Sequence, residues 1–251
     1  MKTRQGCYPH VGTAVLLAAG KGSRLFQCAR QPKPLVPVCG RSLAERAVCT
    51  FATELGVQQL IVVVGHEASA IETHFRGLAG KSNAEFEFVL AHNWSRGNGA
   101  STLSVKQRVC EEPFFVTMTD LLFESQIGKV MKHNPPCHGE VCMAVSKDLD
   151  QIFDDDDITG VRLDGNHVVE LGNNLDTCDA AAIGLFLCTK GLFDGVERAA
   201  QYNCHELTDG LRELSASGHL VAVDVTGSRW LDVDTPAALS EADRWLGGAH
   251  Q

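Results

Sequence analysis

Positive charge is what this chain has too little of. Its 22 Lys and Arg are outnumbered by 31 Asp and Glu, giving a formal net charge of −9. With no basic stripe to neutralise a run of phosphates, nucleic acid is an unfavourable partner. No apolar run reaches the length that spans a bilayer, and the opening MKTRQGCYPH carries no apolar signal-peptide core. The expectation is therefore a cytoplasmic protein without a membrane span. Ten cysteines are present, but no C-x-x-C pair occurs among them, which argues against structural zinc. They are expected to be reduced, with Cys49, Cys142 and Cys188 as small core residues within apolar runs. Two glycine motifs are missing as well. There is no G-x-x-x-x-G-K-[ST], and the dinucleotide fingerprint fails because Leu25 stands three positions after Gly22. Linkers, repeats and low-complexity tracts are also absent, so the 251 residues read as a single domain.

What is present begins at the end of the first apolar run. Ala14-Val15-Leu16-Leu17 opens into Ala18-Ala19-Gly20-Lys21-Gly22-Ser23-Arg24-Leu25, and Lys33 follows in QPKPLV. Gly20 and Gly22 let backbone N–H groups approach a phosphate closely, and the cations offset its charge. An ordinary strand-to-helix turn with surface cations would also fit the loop alone. Arg24 and Lys33 at this spacing shift the reading to a nucleotide site.

Carboxylates supply the second signal. The apolar run FFVTM leads into Thr119-Asp120, which places Asp120 at a strand's carboxyl end. Near the C-terminus, Trp230-Leu231-Asp232-Val233-Asp234-Thr235-Pro236 presents two alternating acids before a helix. In an extended segment Asp232 and Asp234 share a face. Asp234 or Thr235 also suits the N-cap of that helix, a role that leaves metal binding open. Triphosphate chemistry calls for Mg²⁺, which prefers such oxygens. A second glycine-rich loop, Arg96-Gly97-Asn98-Gly99-Ala100-Ser101, again allows close backbone approach, and Ser101 alone would suit a helix cap.

Periodicity predicts strands at 13–17, 60–64, 86–91, 114–118, 140–145, 181–188 and 220–225, and a hairpin over 159–163 and 167–171 around Asp164-Gly165-Asn166. Helices are expected at 42–55, 68–78, 100–109, 192–201, 206–215 and 236–245, the first with Ser42 as N-cap, Glu45 in a capping box and Gly56 as its stop. This alternation predicts an α/β fold: a mostly parallel central sheet, helices on both faces and a small antiparallel hairpin insertion. Ligands of such sheets bind at the carboxyl ends of the strands.

The loop resembles the signature of the nucleotidyltransferases that join a nucleoside triphosphate to a sugar phosphate or alcohol phosphate, L-A-A-G-x-G-x-R-[LM] followed by P-K-[PA]-L. The match falls on Leu17, Ala18, Ala19, Gly20, Gly22, Arg24, Leu25, Pro32, Lys33, Pro34 and Leu35. Asn98-Gly99-Ala100-Ser101, VTMTD and WLDVDT are similar to segments of the inositol-1-phosphate cytidylyltransferases. The resemblance implies a Rossmann-like, GT-A-like fold whose N-terminal half binds nucleotide and whose C-terminal half mainly binds the acceptor. It implies Arg24, Lys33 and Asp120 as catalytic. Leu17, Ala18, Ala19, Gly20, Gly22, Ser23, Arg24, Lys33, Asn98, Gly99 and Ser101 would lie against the nucleotide. Mg²⁺ would be held by Asp120 and Asp232, with Asp234 as a further candidate. The substrates implied are CTP and a small phosphorylated alcohol, above all inositol-1-phosphate. A sugar-1-phosphate with UTP or dTTP, phosphocholine or aminoethylphosphonate are the alternatives, and a homodimer is left open.

The chain departs from the inositol pattern after Asp120, where Leu121 replaces His. It departs again where a Lys and an acid are expected, at Gly172-Asn173-Asn174-Leu175 and Asp179-Ala180-Ala181-Ala182-Ile183-Gly184. Lys147, Asn173 and Asp179 are therefore the acceptor-side candidates, with Lys147 as a substitute cation. The acidic run 154–157 reads as a solvated loop. The alternative is a face for a cationic head group, with Trp94, Trp230 or Phe153 as its aromatic wall.

Overall fold

A computed structural model describes residues 10–151, 153, 158–173 and 175–248. The acidic run 154–157, Asn174 and the first nine residues, with Cys7, lie outside the described residues. In chain order the strands are β1 Thr13–Ala18, β2 Pro37–Val38, β3 Arg41–Ser42, β4 Gln59–Val64, β5 Glu85–Leu90, β6 Phe114–Met118, β7 Leu121–Phe123, β8 Val141–Ser146, β9 Gly160–Asp164, β10 His167–Gly172, β11 Ala180–Cys188, β12 Leu220–Asp224 and β13 Trp230–Asp232. The helices are α1 Ser23–Ala29, α2 Leu43–Val48, α3 Ala68–Ala79, α4 Asn98–Leu103, α5 Ser125–His133, α6 Gly191–Gln201, α7 Leu207–Ala216 and α8 Pro236–Gly247.

Nine strands form one sheet in the order β5-β4-β1-β6-β11-β8-β12-β10-β9. β5, β4, β1 and β6 run parallel, as expected for strands joined through helices. β11 enters antiparallel between β6 and β8, and the β9–β10 hairpin closes the far edge, so the parallel character belongs mainly to the N-terminal half. Alternate residues of the central strands feed two cores. Leu16, Leu60, Val62 and Phe115 meet Phe51, Ile71, Phe75 and Ile127 of one helical layer. Val15, Ile61, Phe114 and Val116 meet Phe193, Val196, Leu207 and Leu211 of the other. This two-sided burial explains why β4 reads as an unbroken apolar run. Burial also pushes the Cys142 thiol up to about 12 and raises that of Cys188, so both sit in the core as inert small residues.

Two helices end differently from the sequence pattern. The helix expected over 42–55 starts as planned, with Ser42 Oγ accepting from the Glu45 N–H at 3.0 Å. It then widens into a π-turn over Cys49–Glu54, from which Phe51 packs edge-on against Phe115 and Phe123. The helix expected over 100–109 spans only Asn98–Leu103. Thr102 and Ser104 hydroxyls donate to the Asn98 and Ser101 carbonyls at 2.8 and 2.6 Å, local bonds that favour turns over helix continuation. α5, amphipathic with Ile127 and Met131 buried, is a helix beyond those expected, and the short elements β2, β3, β7, β13 and α1 carry too little periodicity to be seen in the sequence. Two of them, β7 and β13, build the site.

Candidate functional site

The site forms where β1 and β6 end side by side. Leu17 and Met118 are register partners, and the Thr119 N–H donates to the Leu17 carbonyl at 3.3 Å. The glycine loop and Asp120 thus leave the sheet from adjacent positions. Asp120 then passes directly into β7, which pairs antiparallel with β13, opposing Leu121 to Asp232. The Val233 N–H donates to the Asp120 carbonyl at 3.1 Å. This two-stranded ribbon brings together acids more than a hundred residues apart in sequence.

Lys33 lies between the carboxylates. It forms ion pairs with Asp120 Oδ2 and Asp234 Oδ1, and its side chain is only 12 % exposed. Arg24 reaches the other oxygen of Asp234 at 2.9 Å from a side chain that is 54 % exposed. Asp120 Oδ1 is buried without a hydrogen-bond partner, and Asp232 Oδ1 is buried nearby. A buried, unsatisfied carboxylate oxygen is costly for folding alone and fits a cation ligand. Among the described residues no three His, Cys, Asp or Glu side chains gather into a metal-holding group. Asp234 faces both Lys33 and Arg24, and Asp120 faces Lys33 through Oδ2, while the pair Asp120 and Asp232 each present a buried Oδ1. Mg²⁺ suits such a pair, since it commonly takes one or two carboxylates and completes its shell with phosphate oxygens and water. Thr235, not Asp234, caps the last helix: its Oγ1 accepts from the Ala238 N–H at 3.1 Å.

These groups open onto a cleft of about 1210 Å³ at the carboxyl ends of the strands. Leu17, Ala18, Ala19, Gly20, Gly22, Arg24, Lys33, Asn98, Ser101, Asp120, Asn173, Asp232 and Asp234 all line it. Trp94, Trp230 and Phe153 line it too, Trp94 with its ring 5.3 Å from that of His66. Gly22 has φ +59, and a Cβ there would lie 2.7 Å from Lys33 Cβ. Gly22→Ala is therefore expected to displace the Lys33 stem. A left-handed alanine costs about 1–2 kcal/mol, equivalent to roughly 2–8 °C in a domain of this size. The melting curve and the nucleotide affinity would fall together, and a variant unchanged in both would show that the loop does not support Lys33.

Other expected site residues stand elsewhere. Ser23 opens α1 on the exposed surface and does not line the cleft. Gly99 faces the 205–206 backbone, where a Cβ would come within 2.6 Å of the His205 carbonyl oxygen, so its small size serves close packing beneath the loop. Asn98 is clamped there as well, with Oδ1 accepting from the Leu207 N–H at 2.6 Å. Ser101 is buried inside α4 and does not cap it. Lys147 points away from the cleft and pairs with Asp224 at 2.8 Å. Burial pushes the Asp224 carboxyl up, but hydrogen bonds from Lys147 and Thr226 outweigh it and hold the group at about 2. Asp179 Oδ2 accepts from the Leu163 N–H at 2.8 Å, which ties it to the hairpin. Asn173 Oδ1 accepts from Thr159 Oγ1 at 3.1 Å. Thr119, Ser146, Asp148 and Arg229 line the cleft without having been singled out in the sequence. Asp148 carried one readable signal, a carboxylate two residues past the end of an apolar strand.

Comparison with known proteins shows the family and the fold. The model of the MobA-like NTP transferase domain matches residues 14–214. A bifunctional IPC transferase and DIPP synthase of Rubrobacter xylanophilus is 35 % identical over 243 residues, covering 95 % of this chain and 52 % of the relative. Its counterpart in Aquifex aeolicus is 27 % identical over 238 residues, covering 94 % and 52 %. The chain thus spans about half the length of these curated relatives. Among solved structures, the inositol-1-phosphate CTP transferase from T. maritima superposes with a TM-score of 0.84 at 22 % identity, covering 96 % of this chain and 97 % of that one. UDP-glucose pyrophosphorylase complexed with UDP-glucose follows at 0.78 and 20 %, covering 96 % and 100 %. Both likenesses concern the fold. Among the described residues no helix is long and apolar enough to cross a membrane. With the family model running from the first strand to the seventh helix, the chain belongs to the family of the MobA-like NTP transferase domain.

Proposed function

We propose that this chain is a cytidylyltransferase that joins CTP to a phosphorylated alcohol, inositol-1-phosphate, releasing pyrophosphate and a CDP-alcohol. The observation that carries the reading is the meeting of the glycine loop, Lys33, Asp120 and Asp232 in one cleft. The relatives named for IPC transferase activity support the choice of acceptor. The whole chain acts as one domain, with its N-terminal half holding the nucleotide and its C-terminal half mainly the acceptor.

A phosphate oxygen of the acceptor forms the new bond to the α-phosphorus of CTP, and the bond to the bridging oxygen of pyrophosphate breaks. The leaving group departs with that electron pair. The attacking oxygen is already anionic, so positioning and charge neutralisation suffice. Backbone N–H groups around Gly20 and Gly22 cradle the triphosphate. Lys33 and Arg24 turn from the carboxylates to the phosphates. Asp120 and Asp232 would hold Mg²⁺, which when bound would supply charge neutralisation for the phosphates. Main-chain groups at 97–98 and Ser101 border the base, because the Asn98 side chain is already engaged with Leu207.

The test is pyrophosphate release with Mg²⁺, CTP and inositol-1-phosphate, with the acceptor omitted as control. Release that requires the acceptor, with CDP-inositol seen by mass, is expected. Turnover confined to UTP or dTTP with a hexose-1-phosphate would sink the cytidylyl reading.

A further inference from the structure

Among the described residues six carboxylates line the cleft, and five already have a place in the structure or in the proposed chemistry. Asp120 and Asp234 pair with Lys33, Arg24 holds Asp234, and Asp232, brought to them by the β7–β13 ribbon, is assigned to the metal in the proposed function. Glu206 completes the capping box of α7 and accepts from the Asn98 N–H at 3.3 Å. Glu241 is bridged between Arg229, at 2.8 Å, and Arg244. The sixth, Asp148, has no Lys or Arg paired with it among the described residues.

Asp148 is nonetheless held in place. Its Oδ2 accepts from the Gly227 N–H at 3.2 Å, and its own N–H donates to buried Ser146 Oγ at 3.3 Å. One residue earlier, the Lys147 N–H donates to Thr226 Oγ1 at 2.9 Å. The turns after the parallel strands β8 and β12 are therefore clipped together, and the carboxylate is fixed at the carboxyl end of the sheet. Rigid placement lowers the ordering cost of binding.

The neighbouring strand supplies no competing acid. Ala182 of β11 pairs in register with Val145 of β8 and lines the cleft together with Met143 and Phe186, all apolar. Asp179, the acid nearest this stretch in sequence, is tied to the hairpin. An acceptor carrying several hydroxyls needs a hydrogen-bond acceptor on this wall, and among the described residues Asp148 is a carboxylate placed to provide one.

We propose that Asp148 is the specificity-determining residue for the acceptor, its carboxylate accepting a hydrogen bond from a ring hydroxyl of a polyol phosphate. This inference rests on the reading of the C-terminal half as the acceptor side. A bond of this kind separates substrates that have the hydroxyl from those that lack it.

The test compares Asp148→Asn and Asp148→Ala with the unaltered protein, varying inositol-1-phosphate and CTP in turn. Asparagine keeps an oxygen for the Gly227 N–H, so it separates lost charge from a disturbed turn. Asp148→Ala is expected to raise the acceptor KM about tenfold to a hundredfold, the weight of one charged hydrogen bond. Asp148→Asn should raise it less, with the CTP KM of both variants within about twofold, since one hydrogen bond to the acceptor leaves nucleotide binding alone. Acceptor KM values within twofold of the unaltered protein in both variants would overturn the proposal. Equal rises in both KM values would overturn it too, by showing a structural role. If the unaltered protein uses phosphocholine instead and Asp148→Asn loses it as fully as Asp148→Ala, the carboxylate holds a cation; the polyol is then discarded while the cytidylyl reading stands. If the unaltered protein releases pyrophosphate with no acceptor, the proposed function fails and this inference fails with it.

Discussion

Asp120→Asn is expected to lower the rate of nucleotidyl transfer by about 10³-fold or more, or ~4 kcal/mol of barrier, while leaving the melting temperature within a few degrees. The two effects separate because Asp120 is poorly placed for stability. One oxygen is buried without a hydrogen bond, and the side chain lies close to two further acids. Asparagine has the same shape, still offers an oxygen to Lys33, and removes one negative charge from a crowded cluster. Lys33 keeps Asp234 as its partner. Groups that a fold retains at a cost are often functional. Steady-state turnover and a thermal melt of one preparation decide the matter. A variant that loses activity and unfolds together would mark Asp120 as structural, and one that keeps full activity would remove it from the site.

Much of this arrangement was legible in the sequence because the elements that deliver it are long and regular. β1, β4 and β6 are buried on both faces, so their apolar runs announce themselves and fix where the glycine loop and Asp120 emerge. The pairing of Asp120 with Asp232 was implied only by family resemblance. It depends on β7 and β13, three residues each, which are too short to carry a period. The roles around the second loop were hidden for another reason. Gly99 and Asn98 look like ligand-facing residues, yet their partners lie at 205–207, and only the fold places that segment beneath them. Lys147 shows the same limit: a cation just past a strand's end can turn into the cleft or out to Asp224, and sequence spacing does not choose between them. The acidic partner that decides it, Asp224, arrives from β12, far along the chain.

Lys33→Met is expected to damage stability and activity at once, and a divalent cation should restore only the first. Lys33 neutralises Asp120 and Asp234 inside a site where its own side chain is largely shielded from water. Removing one partner from a buried ion pair costs about 3–5 kcal/mol, because the remaining charge loses its compensation. For a domain of this size that corresponds to a fall of roughly 6–20 °C in melting temperature. Mg²⁺ binding to Asp120 and Asp232 would offset the exposed negative charge, so the variant should regain more degrees from millimolar Mg²⁺ than the unaltered protein does. Turnover should stay depressed, by about 10²-fold, since the ammonium proposed to meet the triphosphate is gone. This contrast follows from a site that is self-neutralised before substrate arrives. While Lys33 occupies the carboxylates, a free metal ion gains little by approaching them. On the proposed reading, phosphate oxygens would draw the ammonium away and free the same carboxylates as ligands, so metal and triphosphate would each favour the other's binding. Melting curves of both proteins with and without Mg²⁺ test the exchange. Equal Mg²⁺-induced shifts in the two would show that Lys33 does not compete with the metal.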